Sequence, residues 1–281
     1  MHELDVLPVK RDPDRPNYRD VHPNILKPPF RIALIGSSKS GKTNLLMNYL
    51  RHNYYGGSKQ LKIKPSFTKI IVFSPNLGLD STSRALQSMC DPGDMHQNYE
   101  DGYINALIDY QKSKEGADRD RVLIIADDLL ALGCSQKAAI FQGFSYFRHL
   151  DISIFVLTQI YKGQYSLPPS VRNNLEGLVF FRCPSQKQVE GLAEDIGDTF
   201  GSKDNVKNML EYTTAEPYSF CFFNYRDLKV YKRHSEHIWS KYDENGNYSP
   251  LFTVPKNINR DKDKAKTKTK VEEYSDYSDS E

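Results

Sequence analysis

Short apolar runs alternate along this chain with stretches of helical spacing, and the alternation predicts an α/β fold. Residues 32–35 (Ile-Ala-Leu-Ile) read as a buried strand. Residues 44–50 carry apolar positions at helical spacing, and the helix runs toward a glycine stop at Gly56 and Gly57. Residues 69–75 (Lys-Ile-Ile-Val-Phe-Ser-Pro) read as a second buried strand, stopped by the proline. Residues 76–95 are loop-like with one short helical piece. Residues 101–113, with Tyr103, Leu107 and Tyr110 at helical spacing, predict a crossover helix. The next strands are 122–126 and 152–158, with an amphipathic helix over 136–149 between them. A further strand, 178–182, leads to a helix over 185–194 and a polar, helical segment within 195–217. Residues 219–224 and 229–231 pair as a C-terminal β-hairpin around Tyr225-Arg226-Asp227.

The two ends lack this pattern. Residues 1–29 are polar and carry Pro8, Pro13, Pro16, Pro23, Pro28 and Pro29. They read either as an extended arm that packs on a surface or reaches a neighbour, or as a disordered leader. After Arg233 the pattern weakens. Residues 241–281 form a polar tail, lysine-rich over 262–270 and acidic over 271–281, that should be disordered. The folded domain is therefore 30–240.

With 281 residues there is ample chain for a full α/β core. The formal charge of +2 gives no global field toward nucleic acid or membrane, so such contacts must come from local patches. Lys59, Lys62 and Lys64 are one candidate patch, read alternatively as a solvated loop. Cys90, Cys134, Cys183 and Cys221 are scattered, with no Cys-x-x-Cys pair, which argues against a zinc site or disulfide framework. They read as reduced, mostly core thiols in a cytosol-like compartment. No apolar run approaches a membrane span, and the first residues do not read as a signal peptide.

The chemistry concentrates after the first strand. Gly36-Ser37-Ser38-Lys39-Ser40-Gly41-Lys42-Thr43 fits G-x-x-x-x-G-K-[ST], the phosphate-binding loop, in its strand-loop-helix context, with Asn44 next in the chain. Gly36 and Gly41 let the backbone curl so that several N–H groups point at one anion, and the following helix adds its positive end. Lys42 should reach the β- and γ-phosphates, and the Thr43 hydroxyl should ligate Mg²⁺. The strand over 122–126 ends in Asp127-Asp128, the expected companion of such a loop: Asp127 to hold Mg²⁺ and Asp128 to orient or deprotonate the attacking water. Gln159 follows the 152–158 strand directly. Because ligands bind at the carboxyl ends of parallel strands, Gln159 should face the same crevice and sense the γ-phosphate. No Asn-Lys-x-Asp segment of GTPases and no Leu-Ser-Gly-Gly signature of ABC-type ATPases occurs.

The full series is Pro29-Phe30-Arg31 with residues 36–44, Asp127-Asp128, Phe147-Arg148-His149, Thr158-Gln159 and Arg172-Asn173-Asn174. It resembles the FtsK–HerA superfamily of DNA-pumping ATPases, and within it the virion genome-packaging ATPases of poxviruses, other large DNA viruses and virophages. The resemblance covers about residues 28–232. It implies a P-loop NTPase of RecA-like type: a mostly parallel sheet, helices on both faces, and a strand added between the phosphate-loop strand and the acid-bearing strand. It implies ATP and Mg²⁺ as ligands. It also implies a homo-oligomeric ring, usually a hexamer, with ATP at subunit boundaries and Arg148 reaching the neighbour's site; Arg172 and Arg182 are second choices for that role. The implied partners are double-stranded DNA, gripped without reading bases, and a capsid vertex or portal protein, with no membrane. The implied location is host cytoplasm, a viral factory or the virion. Two departures stand out. Most of the superfamily has Asp-Glu where this chain has Asp-Asp, so its water must sit closer or be reached through a second water. The large extra domains of cellular translocases are also missing. A cellular-type translocase or helicase of the same superfamily, or a P-loop kinase or nucleotide switch, stays open as an alternative.

Overall fold

Strands in which every position is buried belong in the middle of a sheet covered on both faces. β1 (Arg31–Ile35) and β5 (Ile152–Thr158) are such strands, with every residue buried. The computed structural model describes residues 22–54, 66–79, 81–129, 138–163 and 166–255. Its nine-stranded sheet contains, besides β1 and β5, β2 (Lys69–Phe73), β3 (Met95–His96), β4 (Val122–Asp127), β6 (Gly177–Phe181), β7 (Phe220–Asn224), β8 (Lys229–Lys232) and β9 (Glu236–Ser240). The spatial order is β3-β2-β4-β5-β1-β6-β7-β8-β9. All pairs from β3 to β6 are parallel and those from β6 to β9 antiparallel. β5 thus lies between β1 and β4, with Ile35 opposite Thr158 and Asp127 opposite Leu157. The carboxyl ends of the three strands meet on one edge.

The two-residue repeat of the strands sorts their side chains into two cores. Ile32 and Leu34 face a layer made by α1 (Lys42–Asn48), the π-helical turn Tyr49–Tyr54 and α2 (Ser81–Gln87), through Leu46, Met47, Leu50 and Leu86. Ala33 and Ile35 face the opposite layer, built from α3 (Asp101–Ser113), α4 (Ala139–Gly143), α5 (Pro169–Arg172), α6 (Gln186–Ile196) and α7 (Lys203–Thr213). Helices on both faces are as expected, and so is the added central strand.

Several expectations change in detail. α3 has the expected bounds, but its buried stripe is Ile104, Leu107, Ile108 and Gln111, and Tyr110 is exposed. The helix expected over 136–149 is interrupted. Among the described residues α4 covers only Ala139–Gly143, and the chain then turns into a 3-10 segment, Phe147–Leu150. Gly143 explains the break: the Phe147 ring occupies the space a Cβ there would need, within 2.0 Å, and glycine weakens a helix by roughly 1 kcal/mol relative to alanine. The C-terminal hairpin is extended by β9 into a three-stranded meander. Ordered contacts continue past 240. The Trp239 indole donates to the Pro250 carbonyl at 2.9 Å, and the Phe252 N–H donates to Asn205 Oδ1 at 2.6 Å. At the other end Ile25 and Leu26 are buried, and the Asn24 amide donates to the His234 carbonyl. Of the three described cysteines, all free, only Cys221 is fully buried. Residues 1–21, the lysines at 59, 62 and 64, Cys134 and the tail from 256 lie outside the described residues.

Candidate nucleotide-binding site

The phosphate loop is held by what its sequence permits. The Gly36 N–H donates to the Thr158 carbonyl at 3.2 Å, tying the loop's first residue to β5. A Cβ at Gly36 would fall 2.6 Å from Ser40 Oγ and 2.7 Å from Phe181 Cβ, so only glycine fits. Ser40 N–H closes back on the Ser37 carbonyl at 3.2 Å. Lys39 and Gly41 take positive φ, +62° and +106°, and Gly41 launches α1 by accepting from the Leu45 N–H at 2.9 Å. The first-turn N–H groups of Lys42, Thr43 and Asn44 have no partner inside their own helix. Ser40 Oγ is buried with no hydrogen-bond partner, and a buried hydroxyl of that kind calls for an acceptor from outside the protein.

Lys42 is 8% exposed. Its ammonium donates to the Gly36 carbonyl at 2.7 Å and the Ser37 carbonyl at 3.0 Å. Burial pulls its pKa down, and the charges of Asp128 and Asp127 partly hold it up. Asp127 ends β4, and its carboxylate accepts from the Ser74 hydroxyl at 2.9 Å. Asp128 takes φ +49° while its N–H still donates to the Leu157 carbonyl at 3.0 Å, so the ladder to β5 runs one residue past the strand. The Gln159 amide lies 3.4 Å from Asp128 Oδ2. Ser38 through Asn44, Ser74, Asn76, Asp127, Asp128, Gln159 and Tyr218 all line one cavity of about 500 Å³. A second cavity, of about 700 Å³ and lined by Phe73, His96 and Tyr103 among others, has neither the loop nor the acid pair.

The structure therefore brings Lys42, Thr43, Asp127, Asp128 and Gln159 together. Gly36 and Ser37 are not among the residues lining the cavity; their carbonyls hold Lys42. The three arginines separate. Arg148 is exposed in the 3-10 segment before β5; the strand sets it roughly 20 Å from the strand's carboxyl end, so it cannot reach its own cavity. Arg172 is engaged within its own fold: it ion-pairs with Asp195 at 2.8 Å, donates to the Leu167 carbonyl and lies over the Tyr161 ring. Arg182 is exposed just past the carboxyl end of β6. Ser74, Asn76 and Tyr218 were not singled out from sequence. Ser74 follows β2 directly, so the strand-end rule that pointed to Gln159 would have found it. Tyr218 has no such signal.

No protein-family model matches the chain, and no curated protein matches it. Solved structures do. The genome packaging NTPase of Sulfolobus turreted icosahedral virus 2, in complex with AMP, superposes with a TM-score of 0.52 at 18% identity, over 74% of this chain and 98% of that one. The same NTPase in complex with ATP-γ-S gives 0.50 at 18% identity, over 73% and 97%. The DNA-packaging ATPase of Sulfolobus turreted icosahedral virus gives 0.51 at 17% identity, over 73% and 97%. The likeness extends across nearly the whole of those chains. The chain accordingly has the α/β, RecA-like P-loop fold that these packaging NTPases share.

Proposed function

We propose that this protein is an ATP-hydrolysing motor of FtsK–HerA type that translocates double-stranded DNA, packaging a viral genome into a capsid. The observation that carries the enzymatic part is the meeting of Lys42, Asp127, Asp128 and Gln159 at the ends of β1, β4 and β5. An added strand between loop and acids sets a water-orienting glutamine beside the acid pair. The packaging role is supported by the fold shared with viral packaging NTPases and by the Arg-His, Thr-Gln and Arg-Asn-Asn series.

Each residue then has a task. The loop N–H groups and Ser40 Oγ hold phosphate oxygens, and Lys42 leaves the Gly36 and Ser37 carbonyls to meet the β- and γ-phosphates. The oxygen donors Thr43 and Asp127, with Ser74 orienting the carboxylate, suit Mg²⁺, which prefers carboxylate, hydroxyl and phosphate oxygens. When bound, Mg²⁺ supplies charge neutralisation along the triphosphate. Asp128 takes the proton of the attacking water, and Gln159, in reach of the same carboxylate, fixes that water's direction. Arg148 completes the site of an adjoining copy in a ring, its fixed charge stabilising the transferring phosphoryl. Duplex DNA is held by its phosphates in the ring's hole, and a capsid vertex or portal protein seats the ring. Among the described residues no helix is long and apolar enough to cross a membrane.

ATP turnover with and without duplex DNA tests the reading. Hydrolysis should rise with duplex of any sequence and weaken steeply with salt, as phosphate-only contacts require. Hydrolysis indifferent to DNA would remove the motor, and no hydrolysis at all would remove the enzyme.

A further inference from the structure

Tyr218 is out of place by every ordinary criterion. It is 70% exposed, although aromatic. It takes φ +58°, a conformation that L side chains rarely adopt. It sits third in the turn Glu216-Pro217-Tyr218-Ser219, closed by the Ser219 N–H on the Glu216 carbonyl at 3.2 Å. Proline second and positive φ third is the pattern of a type II turn, whose third position normally belongs to glycine or asparagine. A strained, exposed aromatic residue persists only where its surroundings force it. Here they do. Arg233 bonds both Ser219 Oγ, at 3.0 Å, and Glu216, at 2.7 Å, and Lys232 holds Glu216 at 2.9 Å. The turn is thus clamped to the end of β8, and the tyrosine is presented on a rigid mount.

The place it is presented to is specific. Tyr218 lines the same cavity as the phosphate loop, and a Cβ built on Gly41 would meet its ring at 3.5 Å. The sheet order decides which end of a nucleotide lies there. Asp127, Asp128 and Gln159 stand on β4 and β5, to one side of β1, while Tyr218 precedes β7, to the other side. A nucleotide laid along the loop with its terminal phosphate at Asp128 and Gln159 must send its nucleoside end toward β7. We infer that Tyr218 is the stacking platform for the nucleobase of the bound nucleoside triphosphate. This rests on the nucleotide-hydrolysing reading of the site. Stacking on an aromatic face is available to every base, so the platform supplies affinity for a nucleoside without choosing strongly among bases.

The test separates the base from the phosphates. Binding of a non-hydrolysable ATP analogue and of inorganic tripolyphosphate, each with Mg²⁺, is measured by calorimetry on wild type, Tyr218→Gly and Tyr218→Phe. Glycine suits the positive φ, so Tyr218→Gly should melt no lower than wild type. The inference expects Tyr218→Gly to weaken the ATP analogue about tenfold or more, with tripolyphosphate unchanged and Tyr218→Phe close to wild type. Undiminished binding of the analogue by Tyr218→Gly overturns the inference, and so does an equal loss of analogue and tripolyphosphate. Wild-type protein that binds neither compound would instead bring down the nucleotide reading beneath it.

Discussion

At Lys42 burial and charge pull in opposite directions, a balance that fits the phosphate-binding role proposed for it. Burial lowers its pKa, two neighbouring carboxylates raise it, and two loop carbonyls hold the ammonium in place. Lys42→Ala should lower ATP turnover by about a hundredfold or more, and Asp128→Asn should lower kcat by about 10² to 10⁴ with little change in KM, as expected when a general base is lost. Both are read from steady-state rates on protein whose melting is unchanged. His234 offers a prediction of a different kind. It is buried against Phe220 and Phe222, bonded to the Tyr49 hydroxyl and close to the charge of His22; burial lowers its pKa from 6.5 to about 3. The unfolded chain therefore takes up this proton first as pH falls. The group's contribution to stability is full above pH 6.5 and is lost on the way down toward pH 3. Denaturant unfolding at pH 7 and pH 5 should show a drop on the order of 1 kcal/mol per pH unit that is smaller in His234→Gln. An equal drop in both proteins would remove His234 as its source. The convergence of the loop and the acid pair on one cavity was legible in the sequence, because the motif dictates backbone geometry. Tyr218 was not, because its position depends on a turn clamped by residues fourteen and more positions away, Arg233 among them.

Among the elements, the strands were the most legible. Apolar runs bounded by glycine, proline or acids leave little choice: β5 has the bounds its pattern gave, and β2 ends two residues before the expected proline. The helix between β4 and β5 was misread because its apolar positions serve two separate pieces, split where Phe147 packs onto Gly143. β9 was missed because an edge strand buries few residues, here mainly Trp239. One role visible only after folding belongs to the amino edge of β1. Arg31, nearly buried, pairs with Glu176 at 3.2 Å, and Glu176 also holds Arg226, which in turn bonds the Lys27 and Pro29 carbonyls. This cluster pins the segment leading into β1. Glu176→Ala leaves Arg31 buried without its carboxylate and should cost about 3 kcal/mol of stability, measured by urea unfolding. A loss below about 1 kcal/mol, the level of a surface pair, would contradict it.

For the whole molecule, the sheet order could not be computed from apolar patterning, since nothing local tells β5 to enter between β1 and β4. That feature came from the family resemblance, and the sheet has it. The same order places Arg148 at the edge opposite its own cavity, so its proposed role requires a second copy. Lys42→Ala and Arg148→Ala proteins should each be inactive alone and regain ATP turnover when mixed, because the mixed assembly pairs an intact loop with an intact arginine. Mixtures as inactive as their parts would take Arg148 out of the site. Under the proposed function, hydrolysis at this site moves a ring of subunits along a duplex, and triplex displacement measures that movement directly. A third strand bound at increasing distances along linear duplex DNA is monitored for release. Release should need ATP hydrolysis, fail with Lys42→Ala, and show a lag growing in proportion to distance. ATP hydrolysed at full rate with no release above the spontaneous level would contradict it.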